Sequence, residues 1–220
     1  MESAEREREA TEMLSERQLH ALAAHLRSAA ADASIALTRW LGGAAEIVLQ
    51  RVEQVDMADA LTVLGDAERP VTACLMRTQG WLTGCLIVVF DDISGFALAD
   101  LLLGKPVGTS NSWGEIEQSA VLETANIIGC SYLNALARLS PRMDATHELL
   151  PTPPLFHRDF SSALMQFALV PQAGASDMVL LTETEFRLEG LPARWDLLFV
   201  PDEQGVPALG ELSVDASLQS

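Results

Sequence analysis

The sequence predicts an α+β fold: two pseudo-two-fold, duplicated αβ halves forming a mainly antiparallel sheet with two long helices on one side. Three observations carry this prediction. Two long stretches repeat apolar residues at helical spacing, 17–41 and 114–139. The strand-like segments come in hairpin-linked groups rather than alternating singly with helices, which disfavours βαβ units. Laid over one another at an offset of 99 residues, "QLHALAAHLRSAAADASIALTRWL" faces "EQSAVLETANIIGCSYLNALARLS", with Leu22 on Val121, Ser34 on Leu133, Ala36 on Ala135 and Leu37 on Leu136.

Taken in order, residues 1–16 are nearly all charged or small and read as a solvated N-terminal arm. From Arg17 to Leu41, Leu19, Leu22, Leu26, Ile35, Leu37 and Leu41 mark a helix that Gly42 and Gly43 stop. Glu46–Val55 alternates apolar and polar residues as a strand does. Val71–Gln79 and Trp81–Phe90 flank Gly80 and read as a hairpin. Ser94–Gly104 is a short helix ending on glycine, and "KPVGTSNSWG" is a loop of turn formers. The second long helix runs from Gly114 to Leu139 and ends at "SPR". After it "THELLPTPPLF", Ser161–Val170, Asp177–Phe186 and Arg194–Pro201 are grouped as strands. One domain over 17–201 results, with halves at 17–104 and 114–201, followed by an acidic, loosely attached tail over 202–220.

Bulk composition narrows the function. With 49% hydrophobic residues and mean hydropathy of +0.18, the 220-residue chain is expected to bury a substantial core. The longest strongly apolar run, Cys85–Phe90, is too short to span a membrane, and "MESAEREREA" lacks an apolar signal core. The expectation is a cytoplasmic protein without membrane insertion. A net charge of −17 repels phosphate backbones, so nucleic acid is not an expected partner. Cys74, Cys85 and Cys130 form no C-x-x-C pair and are expected to be buried thiols, with no metal site. "HELLP" has Pro151 where a zinc protease needs its second histidine, and "GKPVGTS" lacks the glycine spacing of a P-loop.

The chemistry concentrates on "SAVLETANIIGCSYLNAL", Ser119–Leu136. At about 100° per residue, Ser119, Glu123 and Asn126 fall in one narrow arc, with Asn134 near the same line. Val121, Leu122, Ala125, Ile128, Tyr132, Leu133 and Leu136 occupy the core-facing arc. Such a polar stripe is most simply a wet helix face. Alternatively, a carboxylate and an amide one turn apart on a rigid rod can dock a cation and orient a water. Trp113, just before the helix, reads as a hydrophobic staple or as a docking contact.

"ExxNIIGxSYLNAL" resembles the helix of the CheC/CheX/FliY family, phosphatases of the phosphorylated response regulator CheY. That family's pattern is Asp or Ser, three residues, Glu, two residues, Asn, and a proline somewhat over twenty residues later. Ser119, Glu123 and Asn126 match it residue by residue. Pro151 is the nearest candidate proline, about two residues further on than the pattern expects. The resemblance covers most of the chain and implies two pseudo-symmetric αβ halves. CheC-type members often carry the Glu/Asn pair in both halves. Here the offset of 99 puts His20, Ala24 and Arg27 at the first-half positions. Alanine binds no cation and arginine accepts no hydrogen bond from water, so the first site is expected to be degenerate.

By this resemblance the protein is a phosphatase for the aspartyl phosphate of a CheY-type response regulator, in chemotaxis or a related two-component pathway. It needs no cofactor of its own, because Mg2+ is held by the partner receiver domain. Asn126 would orient the attacking water, Glu123 would pair with the receiver's lysine, and Ser119 would assist. The alternative is a non-catalytic CheC-like scaffold that binds a response regulator or the deamidase CheD.

Overall fold

The computed structural model describes residues 14–41, 45–56, 58–60, 64, 66–138, 149–169, 178–188, 191–192, 195–202, 204–205 and 208. The helices with described bounds are α1 (Glu16–Leu41), α2 (Asp92–Leu102), α3 (Glu115–Arg138) and α4 (Ser161–Leu169). Eight strands, β1 (Ala45–Asp56), β2 (Pro70–Gly80), β3 (Gly84–Phe90), β4 (Leu149–Pro151), β5 (Leu155–Phe160), β6 (Met178–Leu188), β7 (Leu191–Pro192) and β8 (Trp195–Pro201), form one sheet.

The spine of the sheet runs β1-β6-β8-β3-β2, and both β4 and β5 pair along the outer edge of β2. Every pairing is antiparallel. The strand order reads backwards when β1, β2 and β3 are exchanged with β5, β6 and β8. The middle of the sheet is therefore the seam between β3 and β8, where Leu86 faces Phe199 and Val88 faces Leu197.

Both long helices pack on one face of this sheet, as the periodicity predicts, and against one another. Leu22, Leu26, Ala29, Ala30, Ala33 and Leu37 of α1 are buried. At the offset of 99 their counterparts Val121, Ala125, Ile128, Gly129, Tyr132 and Leu136 are buried too. An Arg138–Asp32 ion pair at 3.1 Å links the two helices at the surface. Small residues allow close approach: a Cβ on Gly129 would lie 2.7 Å from the Met76 Cε and 3.1 Å from a Leu86 methyl.

The opposite face is also covered, by elements other than the two long helices. Val71, Ala73 and Leu75 of β2 and Ile87 and Val89 of β3 pack there with Ala60, Leu64 and α4 residues Leu164 and Met165. The physical reason lies in "CLIVVF": β3 is buried at every position, so it is a central strand with two apolar faces and each face needs a lid. Ser161–Leu169, read from sequence as part of a strand, supplies part of that lid as a helix. The β2–β3 hairpin is found, but Trp81 lies in its turn rather than in β3, and Gly80 takes the positive φ of 116° that the turn requires.

At the chain's described ends, Leu14 is buried and exchanges backbone bonds with the Gln54 amide. Asp202 accepts from the Thr83 hydroxyl, and the Asp202 amide donates to the Thr83 carbonyl. Residues 1–13 of the predicted arm, Gly42 and Gly43, and most of the predicted tail lie outside the described residues. No helix among the described residues is long and apolar enough to cross a membrane.

Candidate functional site

The site begins with how α3 is seated. Trp113, two residues before the helix, packs against Phe96 (centroids 4.5 Å apart), Phe156 (5.2 Å) and the edge of Phe90 (6.1 Å). Its Nε1 donates to Asp92 Oδ1 at 2.9 Å. Asp92 also accepts from Arg158 Nη2 at 2.6 Å and Nε at 3.2 Å, and from the Thr72 hydroxyl at 3.3 Å. Partial burial pushes the Asp92 carboxyl up, but bonds from Arg158, Trp113 and Thr72 outweigh it and hold it below the ordinary carboxylate range. One carboxylate thus ties α2, β2, β5 and the entry to α3 together. Trp113 is an anchor of the fold rather than a docking contact.

A second carboxylate fixes the loop between α2 and α3. Asp100 is fully buried. It accepts from the backbone amides of Thr109 (2.8 Å) and Ser110 (3.0 Å). Lys105 reaches Glu117 in the first turn of α3 at 2.9 Å. Burial raises the Asp100 pKa, while bonds from the Ser110 side chain and the Ser110, Thr109 and Gly108 amides lower it by more. A folded-state pKa below the unfolded value stabilises the fold at neutral pH. That stabilisation is lost as pH falls below the unfolded value, near pH 4. Asp100→Asn, which presents an NH2 where amides now donate, is expected to cost about 2 kcal/mol at pH 7. The gap to wild type should narrow below about pH 4, as urea titrations at both pH values will measure.

On this fixed rod, Ser119, Glu123 and Asn126 lie along one stripe of α3. Ser119 and Glu123 are exposed and Asn126 is half-buried at the margin of the packed arc. Asn134 is exposed further along. Pro151 is half-buried in β4, which pairs with the end of β2 opposite Thr78 and packs against α3. His20, Ala24 and Arg27 are all exposed on α1, a separate stripe on the neighbouring helix. The polar triplet is thus brought together on one surface, with the proline on an adjoining strand.

Two residues of this surface escape a reading by polar pattern. Ile116, one turn before Ser119 on the same stripe, is 62% exposed, so a large apolar side chain heads the polar row. Cys130, one turn after Asn126, is half-buried rather than buried, and its thiol donates to Asn126 Oδ1 at 3.6 Å. Cys74 and Cys85 are buried as expected, and burial raises both thiols, Cys85 to about 11. The 3–4 spacing that selects Ser119, Glu123 and Asn126 also selects Ile116 and Cys130. Their apolar character hid them.

Chemically, the stripe offers a free carboxylate and a primary amide on a rigid helix, flanked by one apolar contact. The helix carries no histidine that could act as a general base beside them. Such a surface acts by positioning and electrostatics upon groups that another molecule brings.

No protein family model matches the chain. Over 122 residues it is 27% identical to the CheY-P phosphatase CheC of Bacillus subtilis, a match spanning 54% of this chain and 56% of that protein. The chain thus spans about half the length of this curated relative. The crystal structure of Thermotoga maritima FliY is similar over 90% of this chain and 96% of its own, with a TM-score of 0.73 and 21% identity. The FliM middle domain from H. pylori is similar over 89% of this chain and 98% of its own, with a TM-score of 0.65 and 15% identity. The two structural likenesses establish the fold.

Proposed function

We propose that the chain is a member of the CheC/CheX/FliY family, a reading supported by its similarity to CheC and FliY, and that it hydrolyses the aspartyl phosphate of a phosphorylated CheY-type response regulator. The observation that carries this reading is the Glu123–Asn126 pair, presented on the outer face of a helix anchored at its head and seated on the sheet.

In this reaction water attacks phosphorus in line, the bond between phosphorus and the aspartyl oxygen breaks, and inorganic phosphate leaves the free carboxylate behind. Charge in the transition state spreads over the phosphoryl oxygens, where the receiver's own Mg2+ and lysine neutralise it. The phosphatase supplies order. The Asn126 carboxamide enters the receiver's site, its oxygen accepting from the attacking water while its nitrogen donates. Glu123 pairs with the receiver's lysine and sets the register of docking. Ser119, one turn back, supports that contact, and Pro151 belongs to the adjoining wall. The degenerate triplet His20, Ala24 and Arg27 leaves one working site.

Ile116 fits the same docking as an apolar anchor beside polar groups. Ile116→Lys is expected to raise KM for the phosphorylated receiver roughly fivefold, about 1 kcal/mol, with kcat unchanged. Its exposure predicts no loss of thermal stability. Steady-state kinetics and a melting curve check both halves of the statement.

A second reading, a binding scaffold without catalysis, is favoured by the fold shared with FliM, which one structure captures as a FliG-FliM complex from H. pylori. In that reading the partner is a response regulator, the deamidase CheD or another chemotaxis protein. Decay of acetyl-phosphate-labelled receivers at saturating Mg2+ separates the two. Faster decay with the protein present supports the phosphatase, and tight binding with unchanged decay supports the scaffold.

A further inference from the structure

We propose that Cys130 is a positioning residue for Asn126: its thiol holds the carboxamide in one of its two flip states, with Oδ1 fixed beside the thiol. The inference rests on the phosphatase reading for its consequence and on the geometry of α3 for its cause. Cys130 lies one turn beyond Asn126 on the same stripe, and its S–H donates to Asn126 Oδ1 across 3.6 Å. A thiol is a donor to an amide oxygen but only a weak acceptor for an amide NH2, so the pairing discriminates between the ends of the carboxamide. One lone pair on Oδ1 remains for water.

The surroundings keep this donor in its donating form. Partial burial, and then the negative charge of Glu123, raise the Cys130 pKa above its ordinary value. Glu123 lies seven positions before Cys130 on the stripe, and so acts twice: toward the partner's cation, and toward keeping the thiol protonated. A thiolate in its place would repel the amide oxygen. The three side chains form a unit in which a carboxylate stabilises a proton, the proton fixes an amide, and the amide fixes a water. Without that bond the half-buried carboxamide is free to take either of two orientations, only one of which presents an acceptor to the water's proton. Freezing that rotation in advance reduces the ordering required on docking.

The test uses Cys130→Ala, which deletes the donor, and Cys130→Ser, which restores one. Two readouts are taken. The first is kcat and KM for dephosphorylation of an acetyl-phosphate-labelled receiver. The second, in the protein alone, is the heteronuclear NOE of the Asn126 side-chain 15N. Cys130→Ala is expected to lower kcat roughly three- to tenfold at unchanged KM, and to lower the NOE of the amide. Cys130→Ser is expected to recover both, and the melting temperatures should stay together. If Cys130→Ala leaves the NOE unchanged, or if Cys130→Ser behaves as Cys130→Ala does, the thiol does not act as a donor and the proposal is overturned. A Cys130-dependent NOE in a wild type that accelerates no receiver's decay upholds the positioning and overturns the phosphatase reading instead.

Discussion

Asn126→Ala is expected to return the decay of a phosphorylated receiver nearly to its intrinsic rate, a loss of ~10²-fold in the acceleration. The magnitude follows from what the amide does in the proposed mechanism. It forms no bond and transfers no proton; it holds one water in line with the scissile bond, and alanine holds none. The same substitution should leave the fold intact. Asn126 is only half-buried, its described side-chain bond is the weak one to Cys130, and alanine is the better helix former. The melting temperature is therefore expected to hold or rise slightly, which separates loss of chemistry from loss of structure. Glu123→Ala should differ in kind. A carboxylate that fixes docking contributes to binding in ground and transition states alike, so the larger change is expected in KM. Full activity in Asn126→Ala, with a melting curve like that of wild type, would remove the amide from the mechanism.

Much of this arrangement is legible in the sequence, for identifiable reasons. Long helices repeat their apolar residues over many turns, so α1 and α3 emerge with the correct faces, and the stripe from Ser119 to Asn126 emerges with them. The β2–β3 hairpin is legible because its partners are neighbours in the chain and Gly80 marks the turn. What escapes is non-local or short. Nothing in the sequence places β6 between β1 and β8, since that pairing joins residues far apart in the chain. "SSALMQFAL" is too brief and too uniformly apolar for its period to distinguish helix from strand. Asp100 sits in "FALADLLLG" like any helix acid. The amides that satisfy it arrive with Thr109 and Ser110, from a loop whose path the sequence does not reveal. Cys130 escapes for a related reason: a thiol among apolar residues resembles core, and its bond to Asn126 is a matter of rotamers.

Gly84→Ala is expected to damage the fold severely. Gly84 opens β3 at the seam with β8, paired with Pro201. A Cβ there would stand 2.5 Å from the Val200 carbonyl oxygen, 2.9 Å from the Pro201 Cα and 3.1 Å from the Phe199 ring. The first two are backbone atoms held in the sheet, so no rotamer relieves the contact, and the strands must part at one end of the seam. A cost of roughly 3–5 kcal/mol is expected, with a fall in melting temperature of roughly 10 °C. Gly129→Ala provides the contrast, since its nearest neighbour is the tip of the Met76 side chain, which can swing aside; a smaller drop is expected there. The seam matters to the site as well. Leu86, two residues along β3, is the second contact beneath Gly129, and Gly129 lies three residues beyond Asn126. Parting β3 from β8 disturbs the floor on which the stripe rests, so Gly84→Ala should lose dephosphorylation activity together with its fold, whereas Asn126→Ala loses activity alone. If Gly84→Ala melts with wild type, β8 does not lie against β3 at this register.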